Sequence, residues 1–366
     1  MTQVTELWVD RTDYRKTKVV TEDVRPLHQG EILVAIDKFG LTANNVSYAL
    51  SGDMIGYWKF YPAQDNWGKV PVWGCANVVE SQCDDVKVGE RLWGFFPMAS
   101  HTILQPGKIA ASHFRDVAKH RAELPGPTLY SSYQRTQVEP EFVQQFENER
   151  CLLFPLFATS FIIYDYLIDN DFFGAKQVIV GSASSKTGFG LAMMLHDDPA
   201  VSQKVVGITS ARNQAFVDSL ACCDQISLYG DESQIDNTLR AAYVDMSGDA
   251  KLTTALHTHF GDNMVESCMV GASHWDGGGK VGNLPGANPT FFFAPAQIAK
   301  RDKDWGPGKA MTKAMEASFK VASKVKDSIQ VEWINGADEV NANWQALLDN
   351  EIPGSTGIMA SMLKPN

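Results

Sequence analysis

The sequence predicts an α/β protein, with a β-rich first third followed by a parallel, doubly wound sheet. Three observations carry this. From Cys151 onward, short apolar strands alternate with helical stretches, the pattern of a parallel sheet flanked by helices. Residues 177–193, QVIVGSASSKTGFGLAM, pass from an apolar strand through a turn of small hydroxyl residues into a helix. A further apolar strand, residues 204–209, ends in Ser210-Ala211-Arg212-Asn213.

The elements follow in order. Leu7-Trp8-Val9 and Lys18-Val19-Val20 read as short strands, and residues 31–39, EILVAIDKF, alternate as a half-buried strand. Residues 71–80 and 90–96 read as strands, with a turn at Lys87-Val88-Gly89-Glu90 between them. Residues 98–136, rich in Pro, Ser and His, exceed what a connecting loop needs and read as an insertion serving function or oligomerisation. Residues 157–168 read as a buried helix. Strands are then expected at Gln177, Lys204 and Gln225, with helices at Gly188 and Gln214 between them. Cys222-Cys223 reads as the buried end of the second of these helices. Further strands are expected at 242–246, 267–271 and 289–293. Residues 310–325, AMTKAMEASFKVASKV, have helical apolar spacing. A strand at 328–334, a helix at 340–350 and a strand after Pro353-Gly354 complete the chain.

The turn after the first of these parallel strands carries the chemistry. A dinucleotide-binding turn ordinarily has three glycines, for the tight turn, the approach of backbone to pyrophosphate, and helix packing. Here Ser182 and Ser185 take the first two places, Gly188 keeps the third, and Gly190 follows. The hydroxyls of Ser182, Ser184 and Ser185 can bond phosphate oxygens. The amides of Lys186, Thr187 and Gly188 open a helix toward an anion, and Lys186 adds charge. The same residues also describe an ordinary turn capped by Ser184 or Ser185. No acidic residue follows residues 204–209, where an NAD binder places one for the ribose hydroxyls. Ser210, Arg212 and Asn213 instead supply donors and a charge for a 2′-phosphate, which favours NADPH over NADH. The plainer reading has Ser210 capping the next helix and Arg212 solvated. Gly271, closing the strand at 267–271, joins the cofactor-contact set.

A length of 366 residues suits two domains, and 44% hydrophobic content supports a large core. The net charge of −11 argues against a nucleic-acid or anionic-membrane binder. No apolar run is long enough for a membrane span, and the N-terminus lacks an apolar signal core. The six cysteines form no CxxC pair and no disulfide framework, so reduced thiols in the cytoplasm are expected. His257-Thr258-His259 reads as a solvated helix end, and His274 as a loop histidine able to approach a cofactor.

Several landmarks, in order, resemble the medium-chain dehydrogenase/reductase superfamily over nearly the whole chain. They are residues 31–41; PVWGCANVVE at 71–80; VKVGERLWG at 86–94; the helix from Thr159 to Leu167; and residues 343–357. The resemblance implies a GroES-like, barrel-type catalytic domain from residues 1–150 and 326–366, and a Rossmann domain from 151–325. It places the active site in an interdomain cleft, with Thr159 near the nicotinamide. The superfamily's zinc ligands are missing: Thr42, Asn44 and Asn45 stand where a Cys would, Trp73-Gly74 or nearby Cys75 where a His-Glu pair would, and no structural-zinc lobe is present. The zinc-independent quinone reductases and enoyl reductases are thus the comparison, implying hydride transfer from NADPH to a conjugated carbonyl compound. Tyr57 stands where enoyl reductases place a proton-donating Tyr, with Tyr48 as its rival and Asn45 orienting the substrate. A buried structural role is the alternative for either Tyr. Trp58, Phe60, Tyr61 and Trp67 form either an aromatic wall for a flat substrate or core. Two other readings remain: an NADPH-binding sensor or structural protein without turnover, and a fold in which Lys186 fills the pyrophosphate site. The partner is a small molecule, and PTFFFAPA at 289–296 is either the edge of a homodimer or a core strand.

Overall fold

Residues 32–41, ILVAIDKFGL, place apolar side chains on both faces and form the strand around which the first unit is built. In the computed structural model, which describes residues 2–122, 124, 128–271 and 283–363, this strand is β1 (Ile32–Leu41). It pairs antiparallel with β2 (Pro71–Ser81), which pairs with β3 (Arg91–Pro97). Gly74 on β2 permits a close approach to β1, since a Cβ there would lie 2.5 Å from the Lys38 carbonyl oxygen. The C-terminal strand Thr356–Ser361 also pairs with β1. A smaller sheet joins Gln3–Asp10, Thr17–Asp23 and Trp67–Gly68.

Residues 98–136 differ from their expectation as an insertion. They contain the short strands His101–Leu104, Pro106–Gly107, His113–Asp116 and Ser132–Arg135, which belong to the main sheet of this unit. Their polar sequence hides the strands because pairing comes from β1 and β3, not from an apolar run. Beneath them, Arg121 is buried with its Nε 3.1 Å from Asp116 and its guanidinium over the Tyr61 ring.

The first unit comprises Met1–Leu152, Val331–Glu351 and Gly357–Asn366, and the second comprises Leu153–Gln330 and Ile352–Thr356. Helix α1 (Ala43–Leu50) lies in the first. The second opens with α2 (Phe154–Asp169), started by a Pro in its first turn. It continues through β4 (Gln177–Gly181), α3 (Lys186–Asp197), β5 (Lys204–Thr209), α4 (Gln214–Leu220), β6 (Gln225–Leu228), β7 (Ala241–Asp245), α5 (Ala250–Phe260), β8 (Met264–Met269) and β9 (Thr290–Phe291). The sheet order β6-β5-β4-β7-β8-β9 is parallel throughout and reverses at β4, the doubly wound arrangement. Helix Ala294–Trp305, unforeseen from sequence, precedes α6 (Lys309–Val325).

Gly190 shows how the helices reach one another: a Cβ there would lie 2.6 Å from the Phe157 ring on α2. The histidine pair on α5 corrects the expectation of a solvated end. His257 is fully buried, its ring nitrogens each 2.9 Å from the Pro285 carbonyl and the Ser267 hydroxyl, and His259 Nε2 lies 2.7 Å from the Ile235 carbonyl. His274 lies outside the described residues.

Candidate active site

A parallel sheet that reverses at β4 opens a crevice at the strand ends, where ligands of such folds bind. The turn from β4 into α3 begins with Ser182 in the left-handed region (φ 55°), a conformation that usually favours Gly or Asn. Its carbonyl accepts from both the amide and the hydroxyl of Ser185. Ser185 is the N-cap of α3, and its hydroxyl accepts from the Gly188 amide at 3.1 Å. The Ser185 hydroxyl and the Gly188 N–H therefore close the turn upon itself instead of facing outward. What remains at the helix start is the pair of amides of Lys186 and Thr187, where the helix dipole favours an anion. Gly188 is required sterically, since a Cβ would meet the Ser182 carbonyl at 2.5 Å. Lys186 donates its amine to the Thr356 carbonyl at 2.7 Å. Ser184 is buried, with its backbone against Gly354.

The neighbouring strand ends beside this turn, because the Ala183 amide bonds the Ile208 carbonyl. Ser210, Arg212 and Asn213 form the short turn between β5 and α4. Asn213 closes it by donating its side-chain amide to the Ser210 hydroxyl at 3.2 Å, and Arg212 is exposed on its surface. Two residues missed from sequence join here. Thr209 is fully buried, and its hydroxyl has no partner among the described residues. Tyr229, directly after β6, hydrogen-bonds to Ser182, and burial pushes its phenol up to about 12. Their signal was positional: each sits at the carboxyl end of a parallel strand. Gly271 follows β8 and bonds the Asp245 carbonyl at the end of β7, while the Thr159 hydroxyl turns back to Pro155 within α2. The exposed guanidinium, the Thr209 hydroxyl, which has no partner among the described residues, and the first-turn amides of α3 form a donor set that fits a phosphorylated dinucleotide.

In the first unit, Tyr48 and Tyr57 lie together, ring centroids 4.6 Å apart, with Phe60, Trp73, Phe95 and Tyr130 around them. Both are buried, which raises each phenol well above its ordinary pKa and keeps it protonated at neutral pH. Their hydrogen bonds differ. The Tyr48 oxygen accepts from Trp73 Nε1 at 3.0 Å and Asn44 Nδ2 at 2.7 Å, which leaves its own proton to be given elsewhere. Tyr57 shares its hydroxyl with that of Tyr130 at 3.1 Å. Asn45 is engaged at both ends: its carbonyl oxygen accepts from the Thr42 amide at 2.7 Å, and its NH₂ donates to the Pro71 carbonyl at 2.9 Å. It thus fixes the start of α1 on β2. Tyr61 and Trp58 are core, the former donating to the Phe95 carbonyl. Among the described residues, no three His, Cys, Asp or Glu side chains converge as metal ligands.

Residues 39–353 match the family described as "Protein of unknown function (DUF2855)". The chain belongs to the DUF2855 family. No curated protein matches this DUF2855 sequence. Solved structures do match its fold. CurA from Vibrio vulnificus, in complex with NADPH, gives a TM-score of 0.62 at 10% identity and covers 100% of both chains. Mycobacterial Rv1454c complexed with NADPH gives 0.57 at 12%, covering 98% of this chain and 99% of that one. CurK enoyl reductase gives 0.53 at 10%, covering 99% and 100%. At these identities the likeness is one of fold. It gives this DUF2855 chain the GroES-like plus Rossmann fold that its ordered landmarks implied.

Proposed function

We propose that this chain is a zinc-independent, NADPH-dependent oxidoreductase that reduces a conjugated carbonyl compound: an enone, an enoyl thioester or a quinone. The observation that carries the reading is the full-length fold match to proteins solved with NADPH, CurA and Rv1454c, and to CurK enoyl reductase. The donor set at the ends of β4 and β5 supports it. Bound NADPH supplies the hydride. The chain's own residues hold the cofactor and move the proton. Lys186 and Thr187 direct their amides at the pyrophosphate, with Ser182, Ser184, Ser185, Gly188 and Gly190 shaping the turn around it. Ser210, Arg212 and Asn213 take the 2′-phosphate, and Thr159 and Gly271 border the nicotinamide half. Tyr48 gives its proton to the developing oxyanion or the adjacent carbon, with Tyr57 beside it as the other candidate and Asn45 holding α1 in place.

The reading extends to assembly and setting. Edge strand β9 carries Phe291 and, just beyond it, Phe293, each about half exposed, which supports a homodimer joined edge to edge. All six cysteines are free, which accords with a reducing cytoplasmic setting, and no described helix is long and apolar enough to cross a membrane.

The test is thermal melting with NADPH, NADH and neither, followed by NADPH oxidation across a panel of enones, enoyl thioesters and quinones. A ligand at 100 times its Kd adds about 2.7 kcal/mol. NADPH should raise Tm more than NADH, and Arg212→Ala should abolish that difference. If neither cofactor shifts Tm, the reading is refuted. A shift without turnover on any substrate points to a non-catalytic NADPH sensor.

A further inference from the structure

The segment Ile352–Thr356 touches the β4–α3 turn and its neighbour at three points. At Gly354 a Cβ would lie 2.4 Å from the Ser184 carbonyl oxygen and 3.0 Å from the Ser184 Cβ, so the approach requires glycine. The Gly354 amide donates to Asn213 Oδ1 at 3.3 Å. The Lys186 amine donates to the Thr356 carbonyl at 2.7 Å. One short segment therefore spans both the turn proposed for the pyrophosphate and the turn proposed for the 2′-phosphate.

Lys186 is the residue in this contact that charge does not satisfy. It opens α3, where the helix dipole already presents partial positive charge. Its stem is partly exposed, but its charged end is turned inward onto a neutral carbonyl, and among the described residues no carboxylate pairs with it. We propose that Lys186 is a latch: when the dinucleotide binds, its amine leaves the Thr356 carbonyl for a pyrophosphate oxygen, releasing Ile352–Thr356 and, in alkaline solution, taking up a proton. This rests on the reading that the turn binds NADPH.

The surroundings support the proton coupling. Burial lowers the Lys186 pKa to about 8, with no charged neighbour contributing. The titratable groups around the turn include Tyr229, bonded to Ser182, Tyr243 and Asp245 beside Gly181, Cys223 beside Gly207, and Arg212 beyond β5. On the helices packed against α3, Tyr164 and Lys324 meet Asp198 and Asp197 at its far end, and Asp165 is paired with Arg301. The 352–356 segment itself carries no ionisable side chain. A phosphate anion would thus be the first counter-charge for this amine and would raise its pKa.

The experiment is calorimetric titration of NADPH into the full chain at pH 7 and pH 9, each in two buffers of different ionisation enthalpy. Wild type should take up close to no proton at pH 7 and about one at pH 9, with affinity falling as pH rises through about 8. Lys186→Arg, charged throughout, should bind NADPH without this uptake, and Lys186→Met should bind about tenfold more weakly, also without it. The variants separate Lys186 from the 2′-phosphate, whose own titration near pH 6 is common to all three. Amide hydrogen exchange at Ser355 and Thr356 should quicken on binding in wild type. Equal proton uptake at pH 9 in wild type and Lys186→Arg, or slower exchange in the segment, overturns the latch while leaving NADPH binding intact. Absence of binding by all three chains overturns the cofactor reading and the latch with it.

Discussion

Tyr48 and Tyr57 occupy the same cluster, yet their hydroxyls have different freedom. Trp73 Nε1 can only donate, so the Tyr48 oxygen must accept, and with Asn44 also donating its proton is left to a substrate. Tyr57 instead pairs with a hydroxyl of its own kind, Tyr130, and either oxygen can donate to the other. Tyr48→Phe should therefore lower kcat about 10²- to 10⁴-fold while leaving NADPH affinity unchanged. Tyr57→Phe should act mainly on stability, costing about 1–3 kcal/mol because it strands the Tyr130 hydroxyl. Denaturant unfolding and steady-state kinetics on the two variants decide the matter, and a larger kcat loss at Tyr57 would reverse the assignment. Both tyrosines were legible as candidates in the sequence. Their ranking was not, because it depends on Trp73 and Tyr130, which the fold brings to them from 25 and 73 residues away.

At the scale of elements, the β4–turn–α3 unit was readable from its residues: an apolar strand, a turn of small residues, and glycines at the helix start. Only the folded turn shows that Ser182 takes the left-handed position and that Ser185 works as a cap. The two readings of this turn are therefore partly compatible: a capped turn still leaves the Lys186 and Thr187 amides at the helix start. Gly188→Ala would drive a methyl group against the Ser182 carbonyl. It should cost about 1–3 kcal/mol of stability by displacing the backbone and should suppress the NADPH-dependent rise in Tm. Melting curves with and without NADPH measure both, and an unchanged NADPH shift would show that the turn does not contact the cofactor. The α5 histidines teach the opposite lesson. Their place at a helix end suggested solvation, but His257 is buried between residues 267 and 285, partners no local pattern reveals.

For the whole molecule, the edge strand β9 bears on assembly. Its place at the end of the sheet among the described residues and the half-exposed Phe291 and Phe293 predict a dimer that Phe291→Asp converts to monomer, read by light scattering as a halving of mass. A wild-type monomer at micromolar concentration would leave these phenylalanines to another role. The sequence by itself determined the fold class, the order of its landmarks, the doubly wound half and the cluster of donors after β4 and β5, because periodicity and turn chemistry are properties of neighbouring residues. Only the tertiary structure decided which of those donors stay available. It closed Ser185 and Gly188 on each other, engaged Asn45 with Pro71, and carried Thr356, 170 residues along the chain, to the amine of Lys186. A hydrogen bond's partner is set by where the fold delivers it, and a buried group is held to that partner by the cost of leaving either end unpaired.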